Sequence, residues 1–205
     1  MSGRKRGAIL ISGGGSNMVA LLEAARDPSF PVEFVAVVSD KANAGGLAKA
    51  EALGVKATVF ERRTYGSKAD HEQAILDHLA AEGVEFLCLA GYMRLVSGSF
   101  IRPFEGRIIN IHPSLLPLFP GLHTHQRAID AGMKVSGCTV HHVTEGMDEG
   151  PVIAQAVVPV LTGDTAEALA ARVLTAEHKL YRTAVTRLFG AGTATDDRQM
   201  LISLG

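Results

Sequence analysis

Short apolar runs alternate with amphipathic segments through the first half of the chain. Ala8-Ile9-Leu10-Ile11 is uniformly apolar and ends in glycines, so Gly7–Ser12 reads as a first, buried parallel strand. Met18–Arg26 carries Val19, Leu21 and Leu22 at helical spacing and stops before Pro28. A β-branched run, Phe34–Val38, predicts a second strand, and Gly45–Leu53 a second helix closed by Gly54. Thr58–Phe60 reads as a short strand and Lys68–Glu82 as a helix, with Ile75, Leu76 and Leu79 inward and Gly83 at its end. Phe86–Ala90 and Ile108–Ile111 are further apolar runs of strand length.

The second half changes character. Val135–Val143 alternates, passes through the acidic loop Glu145–Gly150, and is followed by a further strand-like run, Pro151–Val160. These two runs predict an antiparallel extension. Thr165–Leu188 is one long amphipathic helix, opened by the Asp164/Thr165 cap signal with Glu167 behind it. The tail from Gly190 is weakly patterned. Together the elements predict an α/β fold: an open, mostly parallel, Rossmann-like sheet with helices on both faces, a C-terminal antiparallel extension and a long final helix. With neither an internal repeat nor a linker in the pattern, residues 1–205 are expected to form a single domain.

Composition narrows the class. The chain has 205 residues, 47% of them hydrophobic, enough to bury a core without metal or disulfide staples. Its 20 Lys+Arg against 21 Asp+Glu give a formal charge of −1, which argues against a broad nucleic-acid surface. The two cysteines, Cys88 and Cys138, lie in apolar runs and are expected to be buried free thiols of a reducing compartment. Met1–Arg6 is basic, but the apolar stretch after it is broken by glycines and is too short for a signal peptide or membrane span. A cytoplasmic protein with no membrane partner is expected.

Ser12-Gly13-Gly14-Gly15-Ser16-Asn17 joins the first strand to the first helix. Glycines let the backbone approach a ligand, and the helix start behind them offers free N–H groups to an anion. Met18 occupies the third glycine position of a dinucleotide fingerprint, and no Gly-Lys-Ser/Thr of a Walker A loop is present. What remains is a monophosphate cradle of backbone amides with the Ser16 and Asn17 side chains, or a plain tight turn.

Asn110-Ile111-His112-Pro113 carries the most chemistry. Residues two apart in a strand share a face, so Asn110 and His112 project together, and Pro113 ends the ladder. Ligands of open parallel sheets bind at this carboxyl edge. An imidazole beside a carboxamide, with no Ser or Cys nucleophile at an elbow, suits oxyanion stabilisation rather than a covalent adduct. His123, His125, His141 and His142 supply further nitrogens, but at no recognisable zinc spacing, so no metal is expected. In the acidic loop one carboxylate can reach His112 and favour its imidazolium form. Spacing leaves Glu145, Asp148 and Glu149 close to even, with Asp148, close to the following strand, preferred.

Five stretches occur in order: Ile11–Asn17, Leu89-Ala-Gly-Tyr-Met-Arg94, Asn110-Ile-His-Pro-Ser-Leu-Leu-Pro117, Pro120-Gly-Leu-His-Thr-His125 and Asp148-Glu-Gly-Pro-Val-Ile153. From about Ala8 to Leu188 the chain resembles the phosphoribosylglycinamide formyltransferases of purine biosynthesis. His-Pro-Ser-Leu-Leu-Pro is shared with other 10-formyltetrahydrofolate-dependent formyltransferases, whereas the glycine loop and Pro-Gly-Leu-His-Thr-His narrow the match. The resemblance implies formyl transfer from 10-formyltetrahydrofolate, as donor co-substrate, to the amine of glycinamide ribonucleotide. It implies that Gly15, Ser16 and Asn17 hold the substrate phosphate and that Glu177 lies on its ribose side. Asn110, His112 and Asp148 would be catalytic. The folate would meet Lys68, Met93, Arg94, Leu95, Val96, Asn110, Thr144 and Asp148. Lys68 replaces the family's arginine, keeping the charge but losing the planar fork. Phosphate-binding and folate-binding halves are expected at about 7–112 and 113–189, in a monomer or homodimer. A bell-shaped pH–rate profile is expected, since the amine must be neutral while His112 is charged. A methionyl-tRNA formyltransferase would be expected to carry a second, basic domain, and a formyltetrahydrofolate hydrolase an N-terminal regulatory one; neither fits this chain. A non-catalytic nucleotide-binding module would leave Asn110, His112 and Asp148 without a role.

Overall fold

A computed structural model describes residues 3–190 and 201–203. Its strands are β1 (Lys5–Ile11), β2 (Val32–Ser39), β3 (Ala57–Val59), β4 (Phe86–Leu89), β5 (Ile108–His112), β6 (Val135–His142), β7 (Val152–Pro159) and β8 (Leu201–Ser203). The helices are α1 (Ser16–Ala24), α2 (Gly46–Ala52), α3 (Lys68–Ala81), α4 (Gly98–Ile101), α5 (Thr124–Asp130) and α6 (Ala166–Phe189). The sheet order is β3-β2-β1-β4-β5-β6-β7-β8. β1 to β5 are mutually parallel, β6 runs antiparallel to both β5 and β7, and β8 is parallel to β7. The mostly parallel sheet and its antiparallel extension match the expectation.

Strand alternation divides the core between the two sheet faces. Ile9 and Ile11 of β1 pack with Met18, Leu21, Leu180 and Tyr181 of α1 and α6. Ala8 and Leu10 pack with Ile75, Leu79 and Phe100 of α3 and α4. The final helix is tied to the sheet by Tyr181, whose buried hydroxyl meets the carbonyls of Leu89 (3.0 Å) and Ile109 (3.1 Å), the one closing β4 and the other next to Asn110. Cys88 and Cys138 are buried and free, and burial pushes the Cys88 thiol up to about 12.

Several boundaries differ from expectation. α1 starts at Ser16, directly after the glycines, and not at Met18, so the glycine loop opens straight into a helix mouth. α4 and α5 were not anticipated. α4 has only four residues, and α5 buries only Thr124 and Ala128, one turn apart, too little for an amphipathic signature. The weakly patterned tail contributes β8; its flanking residues 191–200 and 204–205 lie outside the described residues. Among the described residues no helix is long and apolar enough to cross a membrane.

Candidate active site

The glycine loop is held from behind by α2. Gly13 and Gly14 turn their carbonyls toward the Gly46 amide (3.0 Å) and the Lys49 ammonium (2.8 Å). Gly15 sits at φ 67°, and a Cβ there would lie 3.0 Å from the Gly46 Cα, so only glycine fits easily. The first intrahelical bond of α1 is Val19 N–H to the Gly15 carbonyl, 2.9 Å. The Ser16, Asn17 and Met18 amides therefore open the helix without intrahelical partners, as an anion seat requires. The Asn17 side chain turns inward. It is buried and donates to Glu177 Oε2 of α6 at 2.8 Å. Burial raises the Glu177 carboxyl to about 6, against the opposing Asn17 hydrogen bond.

Asn110 and His112 stand two apart on β5. The antiparallel partner β6 sets His141 opposite Asn110 and Thr139 opposite His112. A register shift between Val140 and His141 leaves Ile153 of β7 as the extra residue, a bulge of the kind that re-aims side chains beside functional sites. The buried His141 ring lies with Nε2 3.1 Å from Asn110 Nδ2. Its Nδ1 is 2.9 Å from the His142 carbonyl, which can only accept. The proton is therefore on Nδ1, and the Nε2 lone pair accepts one Asn110 N–H. Burial holds His141 below its ordinary 6.5; the His142 carbonyl and Asp148 oppose this, while His112 and His142 add to it.

Asp148 crosses from the loop between β6 and β7 to reach both imidazoles. Its Oδ2 lies 3.4 Å from His112 Nδ1 and its Oδ1 3.7 Å from His141 Nε2. Oδ2 also accepts the Gly121 N–H at 2.8 Å. His112 is buried, with Nε2 3.1 Å from the Phe119 carbonyl. Both of its ring nitrogens thus face oxygen atoms, at 3.4 and 3.1 Å. Phe119, His123 and Asp148 are the three non-glycine residues with positive φ among the described residues. Two of them touch His112 directly, and strained backbone of this sort concentrates at functional sites.

The same acidic loop reaches two other segments: the Glu145 carboxylate packs against Gly98 at the start of α4 and the Met147 sulfur against Gly121. Leu118, Leu122 and Met147 are exposed around it, an apolar rim suited to a flat organic ligand. Among the described residues no group of three or more His, Cys, Asp or Glu side chains is placed to hold a metal ion.

Residues 5–185 match the formyl transferase family. The chain belongs to the formyl transferase family. It is 41% identical to the phosphoribosylglycinamide formyltransferase of Bacillus subtilis (strain 168), over 91% of this chain and 95% of that protein. The phosphoribosylglycinamide formyltransferase structure from Brucella melitensis superposes with a TM-score of 0.89 at 66% identity, covering 92% of this chain and 97% of that one. It is also 48% identical, over 90% of its own length, to the trifunctional purine biosynthetic protein adenosine-3 of Drosophila pseudoobscura pseudoobscura, of which it spans 14%.

The remaining residues implied by the formyltransferase resemblance fall in three places. Met93 and Leu95 are exposed on the loop after β4, whereas Val96 is buried in the core and Arg94 is ion-paired with Asp40 at 2.5 Å. Thr144 opens the acidic loop and is exposed. Lys68, half-exposed at the start of α3, has its ammonium 3.6 Å from the buried Glu72. Three residues around the site were given no role in it from the sequence. His141 stands opposite Asn110 only through strand pairing. Asp40 follows directly on the end of β2, where the carboxyl-edge rule would have flagged it. Glu72 is an acid in register with the inward Ile75 and Leu79 of α3, a polar residue at a core position.

Proposed function

We propose that this formyl transferase moves the formyl group of 10-formyltetrahydrofolate onto the amine of glycinamide ribonucleotide. The observation that carries the reading is His112, braced by Asp148 on one nitrogen and standing two residues from an Asn110 whose amide is oriented by His141. The nucleotide's phosphate takes the α1 mouth at Gly15, Ser16 and Asn17, and its ribose faces Glu177. The folate spans the loop from Met93 to Val96 and the Thr144–Asp148 segment. The neutral amine attacks the formyl carbon to give a tetrahedral oxyanion. His112 Nε2–H, bonded to the Phe119 carbonyl in the free protein, and the second Asn110 N–H donate to that oxygen. Loss of such a donor costs about 10²–10³ in rate. The C–N10 bond then breaks, and the proton shed by the amine passes to N10 through an Asp148-bound water, help of a kind contributing about 10²–10⁴.

In this reading residues 7–112 supply the phosphate-binding half and 113–189 most of the folate-binding half, acting in the cytoplasm as a monomer or homodimer without metal, nucleic acid or membrane. The test is a spectrophotometric assay with 10-formyltetrahydrofolate and either glycinamide ribonucleotide or methionyl-tRNA as acceptor. Formylation of the ribonucleotide alone, lost in His112→Ala, is the expected result. Turnover with methionyl-tRNA, or near-normal turnover of His112→Ala, would overturn it.

A further inference from the structure

We infer that two buried carboxylates away from the reacting atoms, Asp40 and Glu72, are positioning residues that clamp loop 91–97 at its two ends, and that Asp40 ties this loop to the root of the phosphate loop. The inference rests on the reading that loop 91–97 receives the folate. Apolar packing does little to shape this segment: Met93 and Leu95 are 66% and 53% exposed, and of the Met93–Val96 stretch only Val96 enters the core.

Polar bonds hold it instead. At the near end Asp40, its side chain 1% exposed, accepts the Ser12 hydroxyl on Oδ1 and the Arg94 Nε–H on Oδ2, both at 2.5 Å. The Ser12 oxygen in turn accepts the Met93 N–H at 2.9 Å, and the Ser12 N–H donates to the Gly91 carbonyl at 3.1 Å. One carboxylate therefore joins the end of β2, the residue preceding the three glycines, and the folate loop. At the far end Glu72 of α3 accepts the Ser97 N–H on Oε1 at 3.1 Å and the Ser97 hydroxyl on Oε2. Lys68, 3.6 Å from Oε1, balances the charge of that anchor.

Neutral isosteres distinguish the two ends. Asp40→Asn can offer one acceptor, to Arg94. Its NH2 then faces Ser12 Oγ, which keeps a second lone pair beside the one Met93 takes, but the hydroxyl proton loses its acceptor. Glu72→Gln can satisfy both Ser97 groups: its oxygen accepts the N–H, its NH2 donates to Ser97 Oγ beside the Phe100 N–H, and the hydroxyl proton turns to Ser99 Oγ, 2.7 Å away. Asp40→Asn should therefore raise KM for 10-formyltetrahydrofolate about 10- to 100-fold, the loss expected of one charge-assisted hydrogen bond. Its kcat should change little, and Glu72→Gln should have a much smaller effect on KM. A merely structural role would lower the folded, active fraction and so kcat, leaving KM unmoved. Hydrogen exchange on the full-length protein without ligand supplies a second readout. The Met93 amide should exchange faster in Asp40→Asn while β1 and β4 stay protected. Unchanged folate KM in Asp40→Asn, or unchanged Met93 exchange, overturns the inference. If the unaltered protein fails to bind 10-formyltetrahydrofolate in calorimetry, the functional reading fails instead, and the exchange experiment still decides the clamp.

Discussion

Glu177→Gln should make the ligand-free protein more stable, by an amount that depends on pH. Glu177 is 6% exposed on the inner face of α6, where the Asn17 amide bonds to one of its oxygens. Burial lifts its carboxyl from an ordinary 4.5 to about 6 in the folded state. Each pH unit of such a difference is worth 1.36 kcal/mol, so keeping this carboxylate ionised costs the fold about 2 kcal/mol. The sign follows from proton counting. Below pH 4.5 the group is protonated whether the chain is folded or not, and there is no penalty. Between 4.5 and 6 the folded state holds more protons, so stability falls as pH rises; above 6 the whole penalty applies. Glutamine is neutral throughout and keeps an oxygen to accept the Asn17 N–H. Urea denaturation of both proteins from pH 4 to 8 should show the variant about 2 kcal/mol more stable at pH 7.5 and the gap closing towards pH 4. A gap independent of pH, or a variant less stable at pH 7.5, would refute the reasoning. The penalty has a functional counterpart: ribose hydroxyls donating to an ionised Glu177 would recover part of it on binding. Glycinamide ribonucleotide should therefore narrow the gap, and the variant should bind it more weakly.

Other consequences are open to direct measurement. Cys88 is buried, with its thiol at about 12, and Cys138 is shifted upward by burial as well, so a thiol reagent at pH 8 should modify neither until urea unfolds the chain. Tyr181→Phe removes the one hydroxyl proton facing the Leu89 and Ile109 carbonyls; it should lower stability by about 1–2 kcal/mol in urea melts while leaving both KM values unchanged. Gly150→Ala places a Cβ 1.7 Å from the His142 carbonyl, the group that fixes the His141 tautomer. Displacing that carbonyl should misplace Asn110 and Asp148 together and reduce kcat by about 10²-fold, as measured in the formylation assay.

What was legible in the sequence depended on how far apart the cooperating residues are. The apolar runs gave β1 to β5, and the shared face of Asn110 and His112 followed from strand alternation alone. Both arise within five residues of chain. Asp148 was one of three acids in its loop, and it is the one the structure places beside His112. No local spacing could have shown that Asn17 spends an amide N–H on Glu177, 160 residues away. Likewise Asp40 meets Ser12 across 28 residues and Arg94 across 54, contacts that exist only once β1, β2 and β4 lie side by side. The lesson is physical. Periodicity encodes which face a residue occupies, because burial repeats every 2 or 3.6 positions. Pairing across elements is set by sheet order and register, which periodicity does not encode. Reacting groups gathered on one strand end are therefore visible in the sequence, whereas the buried acids and the neutral imidazole that aim them emerge only with the fold.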